Sequence, residues 1–400
     1  MVSLTYDAII IGGGACGLMC AAQAGMRGKR TLVLERNDRP GAKILISGGG
    51  RCNYTNLNTS TANFVSAAPD FAHEALSRWT VADTISFFER HGISGQEKTL
   101  GQLFPVSNRA KDVVRVFATL LQRYRQVISL NSKALSVDRM ADGSFRVTYE
   151  KDGAVAQATA SAVVMASGGL PVAKLGASDF ALRTARRFGI EVVPTAPALV
   201  PLTITGKDAD WFAALSGNTV FCRVYNDRIG FEEQLLFTHW GLSGPAILQI
   251  SSYWRPGETI TIDLLPGRSM ATILQQERAD GGRRLVGQVL HDFFSRKLVD
   301  AMGKFLPLST KVASLSKADA KHIVNFIHGF TIKPAGDKGY DKAEVMRGGV
   351  STPELDPTTL QAWKVPRLYF GGECVDMTGW LGGYNFQWAW ASGHLIAQSI

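Results

Sequence analysis

A glycine-rich segment near the start of the sequence limits the fold more than any other feature. Gly12, Gly14 and Gly17 have the spacing G-x-G-x-x-G. They follow a β-branched run, Tyr6–Ile11, and precede small apolar residues suited to a helix. Gly12 permits a tight turn, Gly14 lets a pyrophosphate approach the backbone, and Gly17 lets helix and strand pack closely. Glu35, after the next predicted strand, can accept hydrogen bonds from a ribose hydroxyl. The segment predicts a dinucleotide site and leaves NAD and FAD both open.

Two further segments favour FAD over NAD. The first, Gly41–Asn56, contains three consecutive glycines followed by Arg51, Cys52 and Asn53. A loop of this composition exposes backbone amides and a guanidinium, which can hold the flavin end of the pyrophosphate and the edge of the ring. A turn with only a structural role needs no such polar tail.

The second segment lies near the C-terminal end of the sequence. Glu373 and Asp376 follow a predicted strand, Leu368–Phe370, and a glycine-rich stretch then leads into a predicted helix. An acidic residue after a strand can bind ribityl hydroxyls, and the helix start can direct N–H groups at N1 and O2 of a reduced flavin. For Asp376 the alternative is a simple helix cap.

Composition narrows the class of protein. The five cysteines form no CxxC pair, and the seven histidines show no metal-binding spacing, so we predict reduced thiols, no metal site and a cytoplasmic location. The apolar stretch at residues 8–26 is interrupted by glycines, so we predict neither a signal peptide nor a membrane span. A net charge of +9 favours polyanionic partners but does not by itself establish that the protein binds one.

The predicted secondary structure changes along the sequence. A length of 400 residues suits two or three packed units. We predict an FAD-binding domain made of residues 1–190 and 335–400, because strand, glycine-rich turn and helix recur at both ends. Short β-rich pieces broken by prolines predict an inserted domain at 191–270. A small helical domain is predicted at 271–334, where ten basic residues stand against five acidic ones.

Three long motifs carry a family resemblance: KILISGGGRCNYTN, LLFTHWGLSGPAILQISSYW and MTGWLGGYNFQWAWASG. With them the chain resembles the BaiN/RdsA (YhiN-like) family of NAD(P)/FAD-dependent oxidoreductases over essentially its whole length. The resemblance implies an α/β fold: a Rossmann-type FAD-binding domain, like that of two-dinucleotide-binding-domain flavoproteins, with an inserted β-barrel and a small helical domain. Ser167 stands where the family pattern usually has Thr, and it keeps the hydroxyl.

The same resemblance implies FAD contacts at fourteen positions. They are Gly12, Gly14, Ala15, Gly17, Glu35, Lys43, Gly50, Arg51, Asn53, Ala134, Glu373, Asp376, Gly383 and Asn385.

Members of this family have been linked to several substrates, namely bile-acid intermediates, aminoacetone and, for the YhiN-like branch, a uridine of large-subunit ribosomal RNA. The resemblance therefore implies an FAD enzyme that reduces a C=C bond with electrons from NAD(P)H, the uridine being the first choice. The sequence has no second G-x-G-x-x-G, so a nicotinamide donor must bind transiently. The alternatives are a small-molecule oxidase or reductase acting on an amine, ketone or steroid-like substrate, and a flavoprotein without turnover.

An RNA substrate gives the basic helical segment a role in binding phosphates. Four aromatic residues are candidates for base stacking, with core packing as the alternative. They are Trp211, Trp240, Tyr253 and Trp254. The proton donor stays unassigned; Cys52, His239 and Tyr384 are the candidates, being close to motifs and chemically able.

Overall fold

The structure is a computed structural model, and it describes residues 6–400. The Cα positions group into two compact units. The first unit comprises the chain up to Ala196 together with Val345–Ile400, and the second comprises Pro197–Glu344. The predicted separation of residues 191–270 from 271–334 as two domains stays a prediction.

The strands, in chain order, are β1 (Tyr6–Ile11), β2 (Thr31–Leu34), β3 (Thr55–Asn56), β4 (Phe64–Val65), β5 (Gly95–Glu97), β6 (Gln102–Pro105), β7 (Val127–Ser129), β8 (Ser132–Arg139), β9 (Phe145–Lys151), β10 (Ala154–Met165), β11 (Val192–Ala198), β12 (Leu202–Thr203), β13 (Thr219–Tyr225), β14 (Gly230–Thr238), β15 (Gly241–Ser243), β16 (Ile260–Asp263), β17 (Phe330–Ile332), β18 (Gly336–Asp337), β19 (Val345–Val350), β20 (Leu368–Phe370) and β21 (Thr378–Gly379).

The α-helices are α1 (Ala15–Met26), α2 (Ala42–Gly50), α3 (Ala72–Arg78), α4 (Val81–Arg90), α5 (Ala110–Arg123), α6 (Phe180–Arg187), α7 (Ala209–Ala214), α8 (Pro245–Ser251), α9 (Met270–Ala279), α10 (Val286–Leu290), α11 (Arg296–Met302), α12 (Lys317–His328) and α13 (Tyr384–Ser399). In the part of the chain that the structure describes, none of these helices is long and apolar enough to cross a membrane.

The first unit is built on a parallel sheet with the strand order β7-β2-β1-β10-β20. Its central strand β1 is buried at Ala8–Ile11, because both faces of a parallel sheet are covered by helices. Strand β10 is long enough to leave the parallel core, and its first half pairs with β9 in an antiparallel meander. Strands from both ends of the chain therefore meet in one sheet, as the sequence predicts.

Helices α1 and α13 pack against each other and connect the two ends of the chain. A Cβ atom on Gly393 of α13 would lie 2.5 Å from the carbonyl oxygen of Cys16 in α1, closer than side chains tolerate. A glycine at this position lets the two helix backbones approach. The N-termini of α1 and α13 are thereby fixed relative to each other within the first unit.

The second unit contains an antiparallel seven-stranded sheet with the order β17-β16-β13-β14-β15-β12-β18. Helices α9 to α12 lie in the chain between β16 and β17, which are neighbours in this sheet. The helical character predicted for 271–334 is thus present, inserted between two paired strands. Closure of the sheet into the predicted barrel stays a prediction.

Two of the aromatic residues proposed for base stacking are core residues of the second unit. Trp211 is 7% exposed, donates from Nε1 to the carbonyl of Ala301 at 2.8 Å and packs edge-on against Phe212 and Phe330. Trp254 is 2% exposed. The stacking hypothesis is wrong for these two tryptophans, since their rings are enclosed by protein.

Candidate cofactor site

The three glycines of the first motif divide into two structural roles. A Cβ on Gly12 would lie 2.3 Å from the carbonyl oxygen of Ala166, and one on Gly17 would lie 1.9 Å from the carbonyl oxygen of Gly12. Both positions exclude a side chain because backbone occupies the space. A Cβ on Gly14 meets nothing within 4 Å. Gly14 also caps α1 without a side-chain hydrogen bond, so the first N–H groups of the helix, beginning at Ala15, have no side-chain acceptor at the cap and can serve a ligand.

Glu35 is held rigidly beside this turn. Its side chain is 7% exposed, with Oε2 accepting from the N–H of Gly13 at 2.8 Å and Oε1 from the N–H of Asn37 at 2.8 Å. Burial raises the pKa of Glu35, against a smaller lowering by these backbone hydrogen bonds. The N–H of Ser132 donates to the Glu35 carbonyl at 2.8 Å, which brings β8, and with it Ala134, to this side of the site.

The second glycine-rich segment differs from the predicted loop, because it begins as a helix. Ala42–Gly50 is helical until a kink at Ser47, after which Gly48 and Gly49 adopt φ values of 55° and 68°. The N–H of Gly41 donates to the carbonyl of Gly13 at 2.8 Å, so the two glycine-rich turns are in direct contact. A Cβ on Gly49 meets nothing within 4 Å. The kink therefore leaves a second stretch of backbone open to a ligand.

Three predicted FAD residues at this second turn have clear positions. Lys43 and Glu373 form an ion pair, with Nζ and Oε2 2.6 Å apart, so the two charges neutralise each other. Glu373 also accepts from the N–H of Met346 at 3.2 Å. Gly50, with φ of 81°, is followed by the exposed Arg51, whose Nε donates to the carbonyl of Gly48 at 2.8 Å.

The C-terminal turn fits against the tail of the second glycine-rich segment. A Cβ on Gly383 would lie 2.4 Å from the carbonyl oxygen of Thr55 and 2.9 Å from Oδ1 of Asn53. Gly383 has φ of 102° and caps α13 without a side-chain hydrogen bond. The amide of Asn385 accepts from the Gly379 N–H and donates to its carbonyl, both at 2.8 Å. The side chain of Asn385 thus holds the turn together, and its contact with FAD stays a prediction.

Asp376 is buried at the edge of the same turn. It is 4% exposed, its Oδ2 accepts from the N–H of Ala67 at 3.2 Å, and burial raises its pKa. The residue that caps the following helix α13 is Gly383. The simple helix-cap alternative for Asp376 is therefore wrong.

Several groups in the first unit lack partners that a bound FAD can supply. Among the described residues, Oδ1 of Asn53 and Oγ of Ser167 are buried without a hydrogen-bond partner, although such atoms are normally paired. Ser167 was not predicted as a cofactor contact, although its position after the predicted strand that ends at Ala166 was a signal for one; in the structure it lies just after β10, next to Gly12. The Ser167 hydroxyl can donate to a pyrophosphate, and Oδ1 of Asn53 can accept from a ring N–H. Together with two helix starts that lack side-chain caps and the open space at Gly14, these two atoms fit a dinucleotide with a polar ring edge.

The three candidate proton donors have different surroundings. Cys52 is fully buried, and burial raises the pKa of its thiol to about 12. Since no part of its side chain is exposed, Cys52 cannot contact a substrate and this candidate is wrong. Tyr384, the first residue of α13, is 7% exposed with its ring edge-on to Trp380. His239 is exposed in the second unit. Tyr384 and His239 stay predictions. Within residues 6–400 no cluster of three or more His, Cys, Asp or Glu side chains is suited to a metal ion.

These features define a flavoprotein oxidoreductase with a Rossmann-type FAD-binding fold. The chain belongs to the family described as HI0933-like protein Rossmann domain, whose model matches residues 6–399. A ribosomal RNA dihydrouridine synthase of Escherichia coli (strain K12) is 41% identical over 99% of this chain and 98% of that protein. A 3-dehydro-bile acid delta(4,6)-reductase of Clostridium scindens is 26% identical over 98% of both chains.

The fold is also found in solved structures. The 3-ketosteroid-delta4-(5alpha)-dehydrogenase of Rhodococcus jostii RHA1 aligns over 100% of this chain and 98% of that chain, with a TM-score of 0.51 and 12% identity. At this identity the likeness concerns the fold alone.

Glu35→Ala is expected to weaken FAD binding about a hundredfold, since two charge-assisted hydrogen bonds to a ribose are worth about 3 kcal/mol. Titration of the apoprotein with FAD, followed by flavin fluorescence, measures the dissociation constant. Glu97→Ala removes an exposed carboxylate from β5 and serves as the matched control. An unchanged affinity in Glu35→Ala would contradict the assignment of Glu35 to the ribose.

Proposed function

We propose that this enzyme reduces a uridine of ribosomal RNA to dihydrouridine, with FAD as resident cofactor and NAD(P)H as transient electron donor. The observation that carries the proposal is the 41% identity, over nearly the full length of both chains, to the ribosomal RNA dihydrouridine synthase of E. coli. A site with open glycine turns and orphaned polar atoms supports FAD. The proposal implies a cytoplasmic location, which suits five cysteines that are all free thiols.

When bound, FAD supplies the hydride for the C5–C6 bond of the uracil. The residues of this chain bind and orient the cofactor: the start of α1 holds the pyrophosphate and Glu35 the adenosine ribose. Asp376 would hold the ribityl chain, and the N–H groups that begin α13 would face the pyrimidine edge of the ring, where a helix start favours negative charge. Tyr384 and His239 are the candidates to deliver the accompanying proton to the substrate.

The basic helical segment at 271–334 supports contact with RNA phosphates. Nine of its ten basic side chains are exposed, the exception being the half-buried Arg284. Arg284 is paired with Glu277 and Asp292. Arg296 is paired with Asp300. The other eight exposed cations in this segment form no ion pair with any residue of the described range 6–400. They are Arg278, Arg283, Lys297, Lys304, Lys311, Lys317, Lys321 and Lys333. Unpaired surface cations can release counterions from RNA on binding.

Mass spectrometry of ribosomal RNA tests the proposal. In cells that lack this protein, we expect one dihydrouridine of the large-subunit RNA to be lost completely, and a plasmid copy of the wild-type gene to restore it. A copy carrying Gly14→Val should fail to restore it, because FAD is then absent.

An unchanged dihydrouridine content would overturn the proposal in favour of a small-molecule substrate. The similarity to a bile acid reductase favours an unsaturated ketone among such substrates. The purified enzyme, reduced and then mixed with such a ketone, would in that case show fast flavin reoxidation.

A further inference from the structure

The hairpin of β5 and β6 carries an unusual surface in the first unit. Leu57, Leu100 and Val106 are 43%, 58% and 55% exposed, and they account for three of the ten large apolar side chains exposed among the described residues. Leu57 lies beside the hairpin tip, because β3 pairs with β6 and the N–H of Leu57 donates to the carbonyl of Gly101 at 2.9 Å. Val106 follows β6, and Nδ2 of Asn108 donates to its carbonyl at 3.2 Å. We call these three residues, with Lys98, the hairpin face.

Leu100, at the tip of the hairpin, has a strained backbone and an exposed apolar side chain. Its φ is 56°, in the left-handed region that disfavours leucine, and its side chain is exposed. Among the described residues it alone combines a positive φ with a large exposed apolar side chain. Asn or Gly would suit this backbone better, and the leucine side chain contributes little to a core. Strained residues of this kind cluster at functional sites, which points to a contact outside the chain.

Cations accompany the apolar side chains and are held in place. Nζ of Lys98 lies 4.4 Å from the ring centroid of Phe104 and donates to Oδ1 of Asn108 at 2.9 Å. The guanidinium of Arg51 lies 5.2 Å from the same ring. Two positively charged groups held against one ring suit phosphates at defined spacing, as in a folded RNA, better than lipid headgroups that move laterally.

A buried amide connects the hairpin tip to the cofactor site. Asn56 is 1% exposed, and its Nδ2 donates to the carbonyl of Leu100 at 3.1 Å and to that of Gly382 at 2.8 Å. Gly382 immediately precedes the glycine that caps α13. A partner bound at the hairpin tip therefore contacts a loop that shares the Asn56 amide with the C-terminal turn of the cofactor site.

We infer that the hairpin face is a docking surface for the substrate RNA, with Leu100 packing against an unstacked base and Lys98 neutralising a phosphate. The inference rests on the proposed function and gives it a second contact surface besides the basic helical segment. Extrusion of a target base leaves a gap in the RNA, and an apolar side chain at a rigid tip can fill such a gap.

The test compares purified, flavin-loaded wild type with Leu100→Asn and Lys98→Gln on unmodified large-subunit ribosomal RNA. Leu100→Asn is expected to raise the dissociation constant about five- to tenfold through lost apolar contact, with an unchanged flavin spectrum and equal or higher thermal stability. Lys98→Gln should reduce the slope of log K against log salt by about one. Val155→Thr, at a side chain 69% exposed on β10, is the matched control and should bind as wild type.

The possible outcomes are distinguishable. A wild type that binds and reduces the RNA, with Leu100→Asn equal to it in affinity, overturns the docking surface and leaves the proposed function intact. A wild type that neither binds nor reduces the RNA overturns both. If Leu100→Asn instead loses binding only to vesicles of phosphatidylglycerol and phosphatidylcholine, the face contacts a membrane and the RNA inference is wrong.

Discussion

Gly14→Val is expected to give a folded protein that no longer carries FAD. The backbone at Gly14 has φ of −83° and ψ of −168°, which any residue can adopt, and a Cβ there meets nothing within 4 Å. A valine at this position therefore meets no steric obstacle in the protein. The isopropyl group instead fills the space in front of the first N–H groups of α1, where the pyrophosphate must come closest to the backbone.

The ratio of flavin absorbance to protein absorbance measures this effect. We expect the FAD content of purified Gly14→Val to fall below about a tenth of the wild-type value, with the circular dichroism spectrum and thermal midpoint of the apoprotein unchanged. Gly17→Ala is the contrasting variant. Its single methyl group would lie 1.9 Å from the carbonyl oxygen of Gly12, so it should lower the thermal midpoint. Normal FAD content in Gly14→Val would refute the site.

The elements that position the cofactor could be predicted from the sequence because their determinants are local. Strand β1 and helix α1 follow from residue periodicity and from three glycines with fixed spacing, and β20 was predicted at its observed bounds, Leu368–Phe370. The parallel order of the strands then follows from chain connectivity.

Partners that lie far apart in the chain could not be predicted. Lys43 and Glu373 are each plausible FAD contacts in sequence, yet they are 330 positions apart and pair with each other in the structure. The burial of Trp211 depends on rings contributed by other elements of its unit. The thiol of Cys52 looked available because its neighbours are polar and glycine-rich, whereas tertiary packing encloses it completely.

Gln387 is the clearest example of such a tertiary determinant. It lies on α13 with 0% exposure, and its amide has three partners in other elements. Oε1 accepts from Oγ1 of Thr55 at 2.7 Å and of Thr84 at 2.9 Å, while Nε2 donates to the carbonyl of Trp79 at 3.0 Å. One amide thus ties α13 to β3 and to the start of α4. Thr55 also contacts Gly383 through its carbonyl, so this network supports the flavin turn directly.

Gln387→Met is expected to destabilise the protein by about 3–5 kcal/mol, because three buried groups each lose a hydrogen bond at a cost of about 1–3 kcal/mol. The hydroxyl of Thr55 and the carbonyl of Trp79 lose their partner, and Thr84 keeps only the hydrogen bond it accepts from Nε1 of Trp79. Urea unfolding in saturating FAD, followed by circular dichroism, gives the free energy of unfolding. Gln398→Met, at an exposed position of the same helix, should stay within about 0.5 kcal/mol of wild type.

The double variant Thr55→Val/Gln387→Met separates the loss of a hydrogen bond from the loss of packing. When both partners are removed, neither is left as a buried group without a hydrogen bond. The double variant should therefore lose less free energy of unfolding than the sum of the losses in the two single variants, by about 1 kcal/mol or more. Strict additivity would mean that Thr55 and Gln387 do not interact. In that case α13 would be held near β3 by other contacts, such as the hydrogen bond from Nε1 of Trp390 to the carbonyl of Tyr54 at 2.8 Å, and the flavin turn at Gly383 would not depend on the Gln387 amide.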